Sequence, residues 1–235
     1  MKNKMVKTIF VLFVFGLLVL SLASFTSAKI TRVDIIEYKG GHTVVKAPVK
    51  ADQVENQCVP VMNGVMSALP FSYVINPSNT QNLSEKEIVR ATSRAAKTWN
   101  SAVKGNAFAD YSINVTPYYP IYDYQNTISF SDIFLDTTVV GQNSLFFLDD
   151  GNSTRLVEFD MLLNNKIPFG DANKNASVID LQALITHELG HSLGFLDLYN
   201  TECSLATMYG YSNFGDISKR NLQKYEISAL KFLYN

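Results

Sequence analysis

His187-Glu188-Leu189-Gly190-His191 lies within an apolar helical pattern that runs from about Val178 to Leu193, and it constrains the fold more than any other feature. Two histidines four residues apart project about 40° from each other on a helix, so both imidazoles can reach one ion. Neutral imidazole suits Zn²⁺, and Glu188 is placed beside that face to take a proton from zinc-held water. On an ordinary surface helix the same five residues would only be a solvated face, so the context decides. Gly194 lies three residues past His191. A glycine there can adopt positive φ, end the helix and turn the chain sharply. A residue three further on then returns toward the metal. Catalytic zinc normally takes three protein ligands and leaves one position for water. The chain has three histidines, and the remaining one, His42, lies far upstream. Asp197 occupies the returning position and is a competent oxygen ligand; an aspartate could also sit there only as a turn residue. Met208 follows in Ala206-Thr207-Met208-Tyr209-Gly210. Its soft thioether suits a floor beneath the imidazoles without ligation, where packing alone is the plainer role.

Composition sets the bounds. The chain has 235 residues, a formal net charge of −1 and 17% charged residues. That length permits one large or two small domains with a sizeable core. The near-neutral balance argues against a nucleic-acid partner, which would need a basic surface. Lys2, Lys4 and Lys7, an apolar run from Ile9 to Leu20, and Thr26-Ser27-Ala28 form a secretory signal pattern with cleavage after Ala28. The alternative is an uncleaved membrane anchor. Export permits disulfides. With two cysteines, Cys58–Cys203 is the sole intramolecular bridge available, against two unpaired thiols. Asn82, Asn114, Asn152 and Asn175 head glycosylation triplets, relevant only if the host glycosylates.

Residues 1–28 therefore read as a signal peptide, 29–66 as an N-terminal extension or short pro-segment, and 67–235 as one domain. A strand is expected at Phe71–Ile75, stopped by Asn76-Pro77. Ser84 and Glu87 form a capping box for a helix whose periodicity continues to about Val103, with Trp99 as its core anchor. Short β-prone runs follow at Tyr111–Val115, Thr127–Phe130, Ser144–Leu148 and Arg155–Leu163. The motif helix and a last helix over about Ser218–Leu233 complete an α+β domain with a mixed twisted sheet.

From His187 to Asp197, followed by Met208, the chain resembles the metzincin clan of zinc endopeptidases. The aspartate at the third position, and Asp197-Leu-Tyr-Asn-Thr-Glu-Cys203-Ser, are similar to the snapalysin-type secreted proteases. Leu69-Pro-Phe-Ser-Tyr-Val-Ile-Asn, Ala95-Ala-Lys-Thr-Trp99-Asn, Val157-Glu-Phe-Asp160 and Asp180-Leu-Gln resemble the matrixin catalytic domain, so the likeness covers roughly residues 67–235. The resemblance implies a zincin-like fold with a long N-terminal helix, an active-site helix and a C-terminal helix. It implies one catalytic zinc on His187, His191 and Asp197, with Glu188 as general base and then proton donor. Met208 would form the turn beneath the metal, and Tyr209 and Tyr211 would wall the substrate pocket. Tyr211 is weighed also as an oxyanion contact. The strand at Arg155–Leu163 would be the sheet edge that pairs with an extended peptide substrate. A secreted monomer acting on protein or peptide substrates follows, with no nucleic-acid partner and no membrane association after signal cleavage.

Three alternatives stay open. Glu226, on a later helix, could be the third ligand, as in other metalloprotease clans. The chain could be an exported, non-catalytic binding module on the same fold. Cys58 could act as a latency thiolate on the metal, which a disulfide to Cys203 would forbid. Ca²⁺ is weighed as a second ion at Asp171-Ala-Asn173-Lys-Asn175, which alternates oxygen ligands but lacks the glycine and closing glutamate of a calcium loop. A polar entry to the motif helix is the simpler use of those residues.

Overall fold

The computed structural model describes residues 28–40, 58, 61–62, 65–116 and 120–234. All of the signal-peptide segment except Ala28, together with His42, lies outside the described residues. In chain order the elements are β1 (Lys29–Lys39), β2 (Val65–Ser67), β3 (Phe71–Ile75), α1 (Glu85–Asn100), β4 (Phe108–Ile113), β5 (Asn126–Ser131), β6 (Val139–Asp149), β7 (Thr154–Asn164), β8 (Phe169–Gly170), β9 (Ile179–Asp180), α2 (Leu181–Ser192), β10 (Tyr211–Ser212) and α3 (Lys224–Tyr234). The main sheet has the order β10-β1-β6-β7-β5-β3-β4, with β2 added alongside β7. β6 runs antiparallel to both of its neighbours, and the other pairings are parallel. The fold is therefore α+β on a mixed sheet, as the patterning predicts.

Two strands fall where only an extension was expected. β1 pairs with β6 from Lys29↔Asp149 to Tyr38↔Val139, with a bulge at Glu37/Tyr38. Its last residues, Tyr38 and Lys39, pair in parallel with Tyr211 and Ser212 of β10. β2 crosses the expected domain boundary at residue 67 and pairs with Thr154–Leu156.

β7 corrects another expectation. Arg155–Leu163 forms no sheet edge: β6 pairs with it on one side, and β5 and β2 pair with it on the other. Every residue from Glu158 to Asn164 is buried. A strand covered on both faces carries such a near-continuous run instead of alternation.

α1 begins at the expected capping box. The Glu87 amide donates to Ser84 Oγ at 3.3 Å, and the Ser84 amide donates to the Glu87 carboxylate at 2.9 Å. The helix buries Ile88, Thr92, Ala95, Ala96 and Trp99. Trp99 then locks α1 to α2: its indole N–H donates to the Thr186 carbonyl at 2.7 Å, and its ring lies 5.4 Å from Phe195. α2 is capped by Asp180, which accepts from the Ala183 amide at 2.9 Å.

The C-terminal helix starts later than its periodicity suggests. Ser218–Arg220 form a 3₁₀ turn, Asn221 is extended, and α3 begins at Lys224. Carboxylates capture the two basic side chains of that turn, Glu37 and Asp180 buried and Asp171 partly exposed. Arg220 bridges Asp171 and Asp180, and Lys219 pairs with Glu37. Asp171, one of the oxygens weighed for calcium, is thus held by a guanidinium at 2.6 Å. Cys58 and Cys203 are joined in a disulfide with a Cα–Cα distance of 5.5 Å. The bridge ties the start of the domain to the loop after the motif, and it removes Cys58 as a metal ligand.

Candidate metal centre

α2 packs across β6 and β7 and buries His187, Glu188 and His191 completely. Its C-terminus is a full Schellman turn. The Gly194 amide donates to the His191 carbonyl at 3.0 Å, and the Phe195 amide donates to the Gly190 carbonyl at 3.1 Å. Gly194 has φ +86°, which only glycine adopts without strain. The chain reverses here and returns Asp197 to the histidines, as the spacing predicts.

Each imidazole is oriented by a carbonyl. His187 Nδ1 lies 2.8 Å from the Thr207 carbonyl, and His191 Nδ1 lies 2.9 Å from the Phe195 carbonyl. A carbonyl only accepts, so each Nδ1 carries the proton and each Nε2 presents a lone pair. The two Nε2 atoms face each other at 3.2 Å. Asp197 Oδ1 lies 3.1 Å from the first and 3.5 Å from the second. Three electron-rich atoms this close repel one another unless a cation sits among them. The edge of a tetrahedral zinc site with about 2.0–2.1 Å bonds is about 3.3–3.4 Å, so the donor set fits zinc in both chemistry and spacing. Asp197 Oδ1 has no hydrogen-bond partner among the described residues. Burial pushes the His191 imidazole down to about 4, which keeps it neutral and able to ligate. Tyr199 donates to Asp197 Oδ2 at 3.2 Å and fixes the carboxylate's rotation.

Neither oxygen of Glu188 has a hydrogen-bond partner among the described residues. Burial, then Glu37, then Asp197 raise its proton affinity well above that of an ordinary glutamate. β6 shapes the space around it. A Cβ at Gly141 would lie 3.1 Å from Glu188 Oε1, and the Asn143 amide donates to the Glu188 carbonyl at 2.6 Å.

Met208 is fully buried beneath the helix. A Cβ at Gly190 would lie 2.3 Å from the Met208 sulfur and 2.8 Å from the Trp99 ring. Gly190 is thus the residue that lets the sulfur approach the helix. Gly190→Ala is expected to cost about 1–3 kcal/mol through overpacking and to weaken zinc binding by displacing the turn. Thermal melts and zinc titrations of the variant check both effects. Glu226, the alternative ligand, is occupied elsewhere. It accepts the Met208 amide at 3.2 Å and the Gln223 amide at 3.0 Å, bracing the turn from behind. Tyr209 is buried, while Tyr211 is half-buried and in ring contact with Tyr199 and Tyr209.

Glu37 was not anticipated. It is fully buried on β1, opposite Gly141. Lys219 Nζ at 2.5 Å and Ser212 Oγ at 2.6 Å donate to its Oε1, while its Oε2 lies 3.9 Å from His187 Nε2. Two metal-capable groups occur among the described residues: His187, His191 and Asp197, and Glu37, His187 and Glu188. A β-prone Ile-Thr-Arg-Val-Asp-Ile-Ile run was legible in residues 30–36, but nothing local marks the next glutamate as part of a centre formed more than a hundred residues later. A scan against protein-family models and a search of the curated proteins found no match to the chain.

Proposed function

We propose that the chain is a zinc-dependent endopeptidase of metzincin type, exported from the cell, acting on extended protein or peptide segments. The observation that carries this reading is the convergence of His187 Nε2, His191 Nε2 and Asp197 Oδ1 beside the unpartnered carboxylate of Glu188. His187, His191 and Asp197 would hold the zinc, which when bound polarises a carbonyl and acidifies water. Glu188 accepts the proton of the attacking water and passes it to the leaving amine nitrogen. Its buried, carboxylate-facing position gives it the raised proton affinity that a proton carrier needs. Thr207 and Phe195 keep the two imidazoles in the ligating tautomer. A non-catalytic binding module would have no physical use for an unpaired, fully buried acid at this point, where desolvation disfavours it. The disulfide suits an oxidising compartment and supports export.

The test is zinc content together with cleavage of denatured casein. One zinc per chain is expected. Chelation should abolish cleavage, and added zinc should restore it. A chain that binds no zinc, or whose cleavage survives chelation, would overturn the reading.

A further inference from the structure

A cleft opens between α1, the loop that follows β8 and the first turn of α2. Leu181 lines it six residues before His187, about 9 Å along the helix axis, and no candidate metal ligand reaches it. α1 contributes Glu87, Arg90, Ala91 and Arg94, which share one face because the last three follow Glu87 by three, four and seven residues. Arg90 and Arg94 are exposed, and neither guanidinium has a hydrogen-bond or ion-pair partner among the described residues. Like charges four apart on a helix repel, a cost that an anion between them would remove. Lys174 and Arg220 line the same cleft. Arg220 spends Nε and Nη2 on Asp180 and Asp171, and its Nη1 has no partner among the described residues. The two carboxylates of the lining are already engaged. Asp171 is held by Arg220 and, at 3.8 Å, by Lys174, while Glu87 closes the capping box on Ser84. The lining therefore keeps two positive charges in excess, beside apolar Leu83 and Leu181, where a lowered dielectric strengthens attraction for an anion. The cleft has about 80 Å³ of space for solvent. One water needs about 10–15 Å³ of such space, so a handful of heavy atoms fit and a nucleotide does not.

We propose that this cleft binds one compact tetrahedral oxyanion, phosphate or sulfate, as the free ion or as the end group of a short ester. Two excess charges match a dianion better than a monovalent carboxylate. Arg90 and Arg94 supply the forked donors that suit such oxygens, and Lys174 and Nη1 of Arg220 complete the shell. The bonds from Arg220 to Asp171 and Asp180 stay in place, so binding breaks no contact within the fold. The anion joins α1, the loop after β8 and the turn at Ser218–Arg220, and its occupancy stabilises the folded chain by mass action. The site is independent of the zinc reading.

Calorimetric titration of the full chain with sodium phosphate, sodium sulfate, methyl phosphate and sodium acetate tests this, with NaCl holding the ionic strength constant so that general screening cancels. Phosphate and sulfate should each saturate one site per chain and raise Tm as their concentration rises. Acetate should bind about tenfold more weakly or worse, having one charge and a planar head. Arg90→Gln combined with Arg94→Gln should weaken both oxyanions by about tenfold or more, since two charge-assisted forks are lost. Both arginines are exposed and pair with nothing among the described residues, so without added oxyanion the double variant should melt no lower than the parent chain. Lost binding is then not lost folding. Methyl phosphate bound as tightly as phosphate assigns the ester as ligand, and its rejection assigns the free ion. Three results would overturn the proposal: no saturable binding of phosphate or sulfate, acetate bound equally well, or a double variant that binds as tightly as the parent.

Discussion

Glu188→Ala is expected to retain one zinc per chain while kcat/KM on denatured casein falls by on the order of 10²–10⁴, the usual contribution of a positioned proton-transfer group. The loss should appear in kcat, because the side chain makes no contact that would hold a ground-state peptide. Stability should not fall with it. Glu188 is fully buried, its oxygens are unpartnered, and it faces Glu37 and Asp197. Removing a carboxylate from such a place relieves desolvation and like-charge repulsion, which offsets the small cavity left behind. Zinc analysis, thermal melts and initial rates separate the chemical effect from a folding defect. A zinc-loaded Glu188→Ala protein cleaving at the wild-type rate would contradict the mechanism.

The second large effect concerns the ligand set. Asp197→Ala is expected to weaken zinc binding by at least about 100-fold, more than the loss of a supporting outer contact, because it leaves two imidazoles to hold the ion. Glu226→Ala is expected to keep stoichiometric zinc. Its cost is structural, since the amides of Met208 and Gln223 lose their acceptor at about 1–3 kcal/mol per unsatisfied buried group. Zinc titration and urea melts of the two variants distinguish these outcomes. Metal lost from Glu226→Ala and kept by Asp197→Ala would reverse the assignment.

The legible parts of this chain are those with local causes. The capping box at Ser84 and Glu87, the apolar spacing of α1 and the extended run Phe71–Ile75 are set by neighbours within a few residues. The same is true of the centre. His187 and His191 share a helix face, Gly194 ends that helix, and the turn returns Asp197, all within eleven residues. What stayed hidden depends on distant partners. Nothing in Arg155–Leu163 says whether a strand will edge a sheet or run through it, because that depends on what pairs beside it; only the unbroken burial of its second half betrays the answer. Lys219 and Arg220 sit in a helical pattern, yet the pull of Glu37, Asp171 and Asp180 keeps them in a separate turn. Gly190 is required by Met208 and Trp99, which approach it from opposite directions along the chain. Glu37 is the extreme case: its meaning comes from Gly141, His187, Ser212 and Lys219 together.

The central claim is that one zinc ion sits among His187 Nε2, His191 Nε2 and Asp197 Oδ1. Anomalous diffraction from zinc-loaded crystals, recorded on both sides of the zinc absorption edge, tests it most directly. The account predicts one strong peak within about 2.0–2.2 Å of all three atoms. A peak at another set of side chains, or no peak in protein that carries stoichiometric zinc in solution, would contradict it.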